Sequence, residues 1–206
     1  YCSSDGVANL KDAIVRFLAR ERMGGLSERD LHERQLIIGA SGATSLLAAL
    51  ADVLQPGIVV TADPYYYIYC DALQRKGYTI LAIPEDGEGI DCDALEEALA
   101  GIDTGGLAFF YLVTVNNPSC VMLSNRRRRR VVEIARRLSL QQGRLIPVVF
   151  DQAYEWLLHD PQAERFESML PGDDLGIVHE VGTLSKIFAP ALRLGYMIGR
   201  PGALMT

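Results

Sequence analysis

Short apolar runs alternate with segments of helical periodicity through the middle of the chain. Between residues 57 and 150, apolar runs are separated by stretches in which apolar residues recur at spacings of three and four. This alternation is typical of βαβ units, in which helices connect parallel strands. Most runs are apolar at every position, as strands buried on both faces must be. The pattern predicts six strands, at residues 58–61, 78–83, 107–113, 145–150, 177–181 and 194–198.

Helices are predicted before and between these strands. They cover residues 9–20, 46–54, 65–76, 94–99 and a long segment that includes 131–138. Asp91 is the predicted N-cap of the helix at 94–99, and Ser124 opens the longest helix. The elements together predict an α/β fold built around a largely parallel sheet.

The composition is that of an ordinary globular protein and excludes several classes. Of 206 residues, 49% are hydrophobic and 22% are charged, and the formal net charge is −6. An acidic balance argues against a general nucleic-acid binder, whose surface should be basic. The longest apolar run, at 107–113, is far shorter than the about 20 residues of a membrane-spanning helix. We expect neither nucleic acid nor a membrane as partner.

Cysteines and histidines are too scattered to predict a disulfide framework or a metal site. The four cysteines include no C-x-x-C pair, and the three histidines are far apart in the sequence. Reduced thiols fit a cytoplasmic protein. Because the chain begins at Tyr1 and not at Met, and ends at Thr206 after an apolar segment, we expect it to be part of a longer polypeptide.

Five consecutive arginines, at 126–130, lie at the start of the longest predicted helix. Such a run could form a phosphate-binding patch. On an acidic protein, a solvated helix face that is partly offset by acidic groups is the stronger interpretation, and we expect that arrangement here.

A glycine-rich turn at residues 39–45 precedes the apolar helix at 46–54. Small residues before a helix let backbone N–H groups approach an anion, and the helix dipole favours negative charge there. Gly42, Ala43 and Thr44 are therefore candidate phosphate ligands, although a simple chain reversal is the alternative. The turn has neither the Walker lysine nor the G-x-G-x-x-G spacing, so neither nucleotide-binding motif is present.

Two further candidates follow predicted strands. Asp151 comes directly after the strand at 145–150, with Tyr154 three residues later, and ligands of open α/β sheets gather at such strand ends. The alternative role for Asp151 is a helix N-cap. Lys186 follows the strand at 177–181, and the apolar residues after it predict partial burial, which favours the neutral amine that forms Schiff bases. A lysine extended into solvent from a strand end is the alternative.

These three candidates supply the groups that bind pyridoxal 5′-phosphate: a helix N-terminus for phosphate, an amine for an aldehyde and a carboxylate for a ring nitrogen. Residues 183–195 read T-L-S-K-I-F-A-P-A-L-R-L-G, residues 151–154 read D-Q-A-Y, and residues 117–118 read N-P. These segments resemble the S-x-S-K-x-x-x-P-G-x-R-x-G, D-x-A-Y and N-P-T-G patterns of the class I/II aminotransferases, which are fold-type I pyridoxal-phosphate enzymes.

The resemblance implies a fold, an activity and an assembly. The fold would be a three-layer α/β sandwich with a mostly parallel central sheet, in which residues 1–206 form the cofactor-binding large domain and a C-terminal small domain is missing. The activity would be the transfer of an amino group between an amino acid and a 2-oxo acid through a Schiff base on Lys186. The protein would be a cytoplasmic homodimer with a shared active site.

Residue roles follow from the same resemblance. Lys186 would hold the cofactor and then shuttle a proton at the substrate α-carbon, while Asp151 would pair with the pyridine nitrogen. Asn117 and Tyr154 would hydrogen-bond the phenolic oxygen, and Tyr66 would stack on the ring. The phosphate ligands would be the donors of Gly42, Ala43, Thr44, Thr183, Ser185 and Arg193, together with Tyr1 reaching across the dimer interface.

The sequence departs from the family patterns and leaves alternatives open. Thr183 replaces the first serine, Ala191 replaces the glycine after Pro190, and the N-P-S-C segment at 117–120 lacks the glycine of N-P-T-G. A lyase or decarboxylase that uses the same cofactor is the alternative enzyme. A non-catalytic effector-binding domain of a transcription regulator is a second class, and a plain nucleotide-binding domain ranks last.

Overall fold

A mixed eight-stranded sheet with helices on both faces forms the centre of the computed structural model, which describes residues 4–202. The strands are β1 (Gln35–Gly39), β2 (Ile58–Asp63), β3 (Thr79–Asp86), β4 (Gly89–Ile90), β5 (Leu107–Val113), β6 (Val148–Asp151), β7 (Val178–Thr183) and β8 (Gly195–Gly199). Their order is β1-β8-β7-β6-β5-β2-β3-β4. The five strands from β7 to β3 are parallel, while β1, β8 and β4 each pair antiparallel with their neighbours.

Helices cover both faces of the sheet and bury two apolar cores. They are α1 (Ala8–Arg20), α2 (Glu28–His32), α3 (Gly42–Val53), α4 (Tyr67–Arg75), α5 (Cys92–Ala100) and α6 (Asn125–Gln142). Side chains of α1, α2, α5 and α6 pack into one core, and those of α3 and α4 pack into the other, on the opposite face. The predicted three-layer α/β sandwich with a mostly parallel sheet is confirmed.

Side-chain caps fix where several helices begin. Asp91 accepts hydrogen bonds from the N–H groups of Asp93 and Ala94, and Ser124 accepts one from Arg127, as predicted. Ser27 and Asp30 form a reciprocal capping box at the start of α2. α2 was not predicted from the sequence, although this S-x-x-D spacing signals it.

The remaining differences from prediction lie at element ends and at the edges of the sheet. The strand expected at 145–150 begins at Val148, because Pro147 has no N–H to donate to a neighbouring strand. The helix expected at 46–54 begins at Gly42 and so includes the glycine-rich turn. β1 and β4 were not predicted. Both are short strands paired antiparallel with a neighbour.

The arginine run is neutralised by acidic side chains of other segments. The pairs are Arg126 with Glu88, Arg127 with Asp86 and Asp91, Arg128 with Glu155, Arg129 with Glu167, and Arg130 with Glu96. The expectation of a solvated face is confirmed for three arginines but is wrong for Arg127 and Arg128, which are buried. Arg128 is covered because its guanidinium lies between the rings of Phe150 and Phe166. Among residues 4–202, no helix has the length and apolar character needed to cross a membrane.

The strand directions bring the predicted site segments to one edge of the sheet. The carboxyl ends of β2, β5, β6 and β7 lie at this edge because these strands are parallel. β8 runs the opposite way, so its first residue, Gly195, lies beside Thr183 of β7 on one side and Gly39 of β1 on the other. The loop between β1 and α3 therefore reaches the same edge.

Candidate active site

A cavity opens at this edge of the sheet and gathers most of the predicted site residues. It encloses about 590 Å³, including the solvent at its mouth. The predicted residues that line it are Ala43, Thr44, Tyr66, Asn117, Asp151, Tyr154, Thr183, Ser185, Lys186 and Arg193. Gly42 is buried behind the cavity wall. Tyr1 lies outside the described residues, and its role stays a prediction.

One end of the cavity is built around the first turn of α3. The helix starts at Gly42, whose φ of 70° lies in the left-handed region that glycine tolerates best. The first N–H groups of a helix have no partners within the helix, so those of Ala43 and Thr44 are available to an anion at this wall. The Gly42 N–H donates to the carbonyl of Arg193 at 2.6 Å. The expectation that Gly42 offers its N–H to phosphate is therefore not met in this conformation.

Gly195 allows this turn to approach β8. A Cβ atom at Gly195 would lie 2.3 Å from the nitrogen of Ala43 and 2.5 Å from the carbonyl carbon of Gly42. Backbone atoms cannot tolerate such distances, so any larger residue here would push the start of α3 away. Close packing against the start of α3 thus explains why a glycine ends the 183–195 motif.

Hydroxyl and guanidinium groups face the same end of the cavity. The hydroxyl of Thr183 lies 3.1 Å from that of Ser185 and 3.2 Å from the carbonyl of Leu194. Arg193 donates from Nη2 to the Ser41 carbonyl at 3.0 Å and from Nη1 to the Pro190 carbonyl at 3.2 Å. These donors, with the helix start, make this end of the cavity electropositive.

Asp151 lies at the base of the cavity as the last residue of β6. Its Oδ2 accepts a hydrogen bond of 2.9 Å from the hydroxyl of Tyr111, and its Oδ1 accepts one of 3.0 Å from the Ala153 N–H. The carboxylate is not a helix N-cap. Burial raises the pKa of Asp151, while the hydrogen bonds from Tyr111 and Ala153 and the charge of Lys186 oppose this shift.

Lys186, Tyr154 and Asn117 lie together on the wall beside Asp151. The Nζ of Lys186 is 5.2 Å from the centre of the Tyr154 ring, which is cation–π distance. The Nδ2 of Asn117 is 3.4 Å from the Tyr154 hydroxyl. Two hydrogen-bonding groups therefore meet next to the lysine.

The expectation that Lys186 is partly buried is wrong. The residue is exposed, and it lies in a turn at residues 185–188 that follows the end of β7. Phe188, which the sequence suggested as cover for the lysine, is itself 75% exposed. Lys186 nevertheless lines the cavity.

Tyr66 lines the cavity at the N-cap position of α4. Partial burial, followed by the negative charge of Asp151, raises the pKa of its hydroxyl, so the ring is a neutral phenol at physiological pH. Its half-buried ring presents an aromatic surface to the cavity.

Tyr111 belongs to this site but was not predicted from the sequence. It lies within the apolar run 107–113, which the pattern identifies only as a buried strand. Its contact with Asp151 depends on the pairing of β5 with β6, in which Val113 lies beside Asp151. No local signal in the sequence reports that pairing.

Residues 1–205 match the family model described as aminotransferase class I and II. The chain therefore belongs to the class I and II aminotransferase family. The predicted family is thus confirmed.

Curated relatives include aminotransferases and regulators. Aromatic-amino-acid aminotransferase 1 of Thermococcus litoralis is 30% identical over 206 residues, which cover 98% of this chain and 46% of the relative. An uncharacterised HTH-type transcriptional regulator of Bacillus subtilis, YisV, is 25% identical over 167 residues, covering 79% of this chain and 32% of the relative. The chain thus spans about half the length, or less, of these relatives.

Solved aminotransferase structures share the fold. The kynurenine aminotransferase of Pyrococcus horikoshii, crystallised with PMP, superposes with a TM-score of 0.82 at 28% identity, covering 100% of this chain and 48% of that one. A multiple-substrate aminotransferase of Thermococcus profundus gives a TM-score of 0.83 at 26% identity, covering 100% and 49%.

Proposed function

We propose that this chain is the cofactor-binding part of a pyridoxal-phosphate-dependent aminotransferase, which moves an amino group between an amino acid and a 2-oxo acid. One observation carries the proposal: an amine, a buried carboxylate and a cluster of anion-binding donors meet in a single cavity. Pyridoxal phosphate carries an aldehyde, a ring nitrogen and a phosphate, so each of its groups finds a chemical partner. Family membership and the activities named for the relatives support the same reaction.

The donor set fits a phosphate dianion. The N–H groups of Ala43 and Thr44, the hydroxyls of Thr183 and Ser185 and the guanidinium of Arg193 all lie at one end of the cavity. A guanidinium and a helix N-terminus both favour a dianion. The packing of Gly195 against the start of α3 holds these donors close together.

The base of the cavity fits a protonated ring nitrogen. Both oxygens of Asp151 are held by donors of the protein, and the ionised carboxylate accepts a further hydrogen bond from a ring N–H. When bound, the cofactor supplies a ring that accepts the electron pair left when a bond to the substrate α-carbon breaks. Asp151 would keep the ring nitrogen protonated for that purpose.

The remaining residues of the cavity wall would orient the cofactor and move a proton. Lys186 would hold the cofactor through its Nζ, and the same amine would carry the proton at the substrate α-carbon. Asn117 and Tyr154 would hydrogen-bond the phenolic oxygen, and Tyr66 would stack on the ring face.

We further propose a cytoplasmic homodimer in which residues 1–206 form the large domain. Large apolar side chains are exposed close to the cavity, including Tyr67, Ile68 and Phe188, and a second copy of the chain would cover them. Tyr1 would reach the partner's phosphate. The thiols of Cys70, Cys92 and Cys120 are free, which suits a reducing compartment.

The testing experiment is borohydride reduction of the protein loaded with pyridoxal phosphate, followed by peptide mapping. Residues 1–206 contain three lysines, Lys11, Lys76 and Lys186, and peptide mapping distinguishes a reduced adduct on each of them. We expect the adduct on Lys186, loss of the yellow absorbance in Lys186→Ala and its retention in Lys76→Ala. An adduct on Lys76 or Lys11, or unchanged absorbance in Lys186→Ala, would contradict the proposal.

A second candidate is a non-catalytic effector domain, which the similarity to the Bacillus subtilis regulator supports. Single amino acids distinguish the possibilities. Conversion of bound pyridoxal phosphate to pyridoxamine phosphate indicates an aminotransferase, and release of a substrate fragment without that conversion indicates a lyase or decarboxylase. Cofactor binding with neither product indicates the effector domain.

A further inference from the structure

Tyr111 contacts the base of the active-site cavity from within the sheet. It is the fifth residue of β5, is fully buried, and donates its hydroxyl to Oδ2 of Asp151 at 2.9 Å. The hydroxyl cannot ionise near neutral pH, because burial and the neighbouring carboxylate raise the pKa of Tyr111 well above its usual value. It is therefore a permanent hydrogen-bond donor.

The ring of Tyr111 is held in place by a second tyrosine. Tyr69 of α4 packs edge-on against it, with ring centres 4.7 Å apart. The hydroxyl of Tyr69 is itself fixed by a 2.9 Å hydrogen bond to the carbonyl of Leu47 in α3. Tyr111 thus has little freedom to turn away from Asp151.

Each oxygen of the Asp151 carboxylate accepts a hydrogen bond from a different donor. Tyr111 holds Oδ2 and the Ala153 N–H holds Oδ1, so the plane of the carboxylate is fixed. Asp151 also lines the cavity, and each of its oxygens can accept a second hydrogen bond. The Ala153 contact comes from the local turn, whereas the Tyr111 contact comes from the neighbouring strand.

Charges around Asp151 do not by themselves keep it ionised. Burial and the negative charge of Glu155 raise the pKa of Asp151, and Lys186 lowers it as the least of the named influences. The phenols of Tyr66 and Tyr69 also face the carboxylate and are neutral. The hydrogen bond from Tyr111 is the largest influence that favours the ionised form.

We propose that Tyr111 is a positioning residue, whose hydroxyl keeps the Asp151 carboxylate ionised and oriented toward the ring nitrogen of bound pyridoxal phosphate. The inference deepens the proposed function and rests on it. Tyr111 does not line the cavity, so it would act through Asp151. It adds a group from within the sheet to a site formed by strand ends, loops and the start of α3.

The test compares Tyr111→Phe with Tyr69→Phe. Each variant removes one buried hydroxyl and keeps the ring, but only the first removes a hydrogen bond from Asp151. The first readout is the carboxyl titration of Asp151 in cofactor-free protein, followed by ¹³C NMR and assigned with Asp151→Asn. We expect Tyr111→Phe to raise the midpoint by about one pH unit, since a hydrogen bond to a charged group is lost. Tyr69→Phe should leave it unchanged.

The second readout is pyridoxal phosphate binding, measured as a function of pH with the full-length protein. The affinity of Tyr111→Phe should fall about tenfold, and the loss on the acid side should begin about one pH unit higher. Equal midpoints in the two variants, or no shift in either, would overturn the inference. If the wild-type protein fails to bind the cofactor, the proposed function fails, while the Asp151 titration still tests Tyr111 independently.

Discussion

The guanidinium of Arg128 and the carboxylate of Glu155 form an ion pair in the protein interior, with Nη2 and Oε1 2.6 Å apart. Their side chains are 1% and 0% exposed. Arg128 also donates from Nε to the Leu123 carbonyl at 3.2 Å. Because Glu155 directly follows Tyr154, this pair anchors the chain that carries one wall of the active-site cavity.

Replacing Arg128 should strongly destabilise the fold. Arg128→Met leaves the Glu155 carboxylate buried and unpaired, which we expect to lower the free energy of unfolding by about 3–5 kcal/mol. Urea denaturation monitored by circular dichroism measures the change. Arg129→Met on the same helix is the matched control, because Arg129 and Glu167 are about half exposed and such pairs contribute about 0–1 kcal/mol. Equal losses of unfolding free energy in the two variants would show that the buried pair stabilises the fold no more than the exposed pair does.

His179 and Glu180, adjacent on β7, should give the fold opposite responses to pH. Burial lowers the pKa of His179 to about 4 and raises that of Glu180 to about 7. The Glu180 contribution to stability is therefore complete below pH about 4.5 and is lost as pH rises toward 7. The His179 contribution is complete above pH about 6.5 and is lost as pH falls toward 4. The two responses offset each other over the shared range.

Single variants should separate these responses. Glu180→Gln removes the contribution that decreases as pH rises. The free energy of unfolding of this variant, minus that of wild type, should therefore rise by about 3 kcal/mol between pH 4.5 and 7. His179→Leu should change in the opposite direction over pH 4 to 6.5. Unfolding free energies from urea titrations at stepped pH provide the measurement. Parallel curves for wild type and Glu180→Gln would refute the assignment.

Gly195→Ala should weaken cofactor binding through the start of α3. The added methyl group would collide with the backbone of Gly42 and Ala43, so we expect at least about a tenfold loss of pyridoxal phosphate affinity and a destabilisation of about 1–3 kcal/mol. Equilibrium dialysis and thermal unfolding report the two effects. Gly172→Ala is the control, since a Cβ there meets no atom within 4 Å. Unchanged affinity in Gly195→Ala would exclude this turn from the phosphate site.

Arg193→Lys should lose phosphate affinity although the charge is kept. The guanidinium bridges two carbonyls from different segments, those of Ser41 and Pro190, while it faces the cavity. A lysine cannot make this planar set of contacts, and we expect cofactor affinity to fall about tenfold or more. Arg200→Lys, on an exposed arginine bonded to the Asp174 carbonyl, should bind as wild type does. Titrations of each variant with pyridoxal phosphate at two salt concentrations would show whether the loss of affinity is purely electrostatic.

Predictions from sequence succeeded where one segment carried its own signal. The run 107–113 is apolar at every position, and it forms a buried strand with a parallel neighbour on each side, as expected for a strand that buries both faces. The cap residues Asp91 and Ser124 marked helix starts through their own side chains. Lys186 and Asp151 were found because their motifs follow strands that end at the same edge of the sheet.

Features that depend on pairing between distant segments could not be predicted. β1 is held in the sheet by its pairing with β8, a strand that is far away in the sequence. Five identical arginines give no sign that Arg127 and Arg128 are buried while their neighbours are exposed. Lys186 is exposed in the turn that follows β7, although the apolar residues after it predicted partial burial.

The hydrogen bond from the Gly42 N–H to the Arg193 carbonyl joins an early segment of the chain to a late one. A ligand bound at this junction would connect the two segments noncovalently and reversibly, although they are far apart in the sequence. Loading with pyridoxal phosphate should therefore protect distant parts of the chain together, against heat and proteases alike, to an extent set by the ligand concentration relative to its Kd. Preparations stripped of the ligand would be the first to lose their native state during storage.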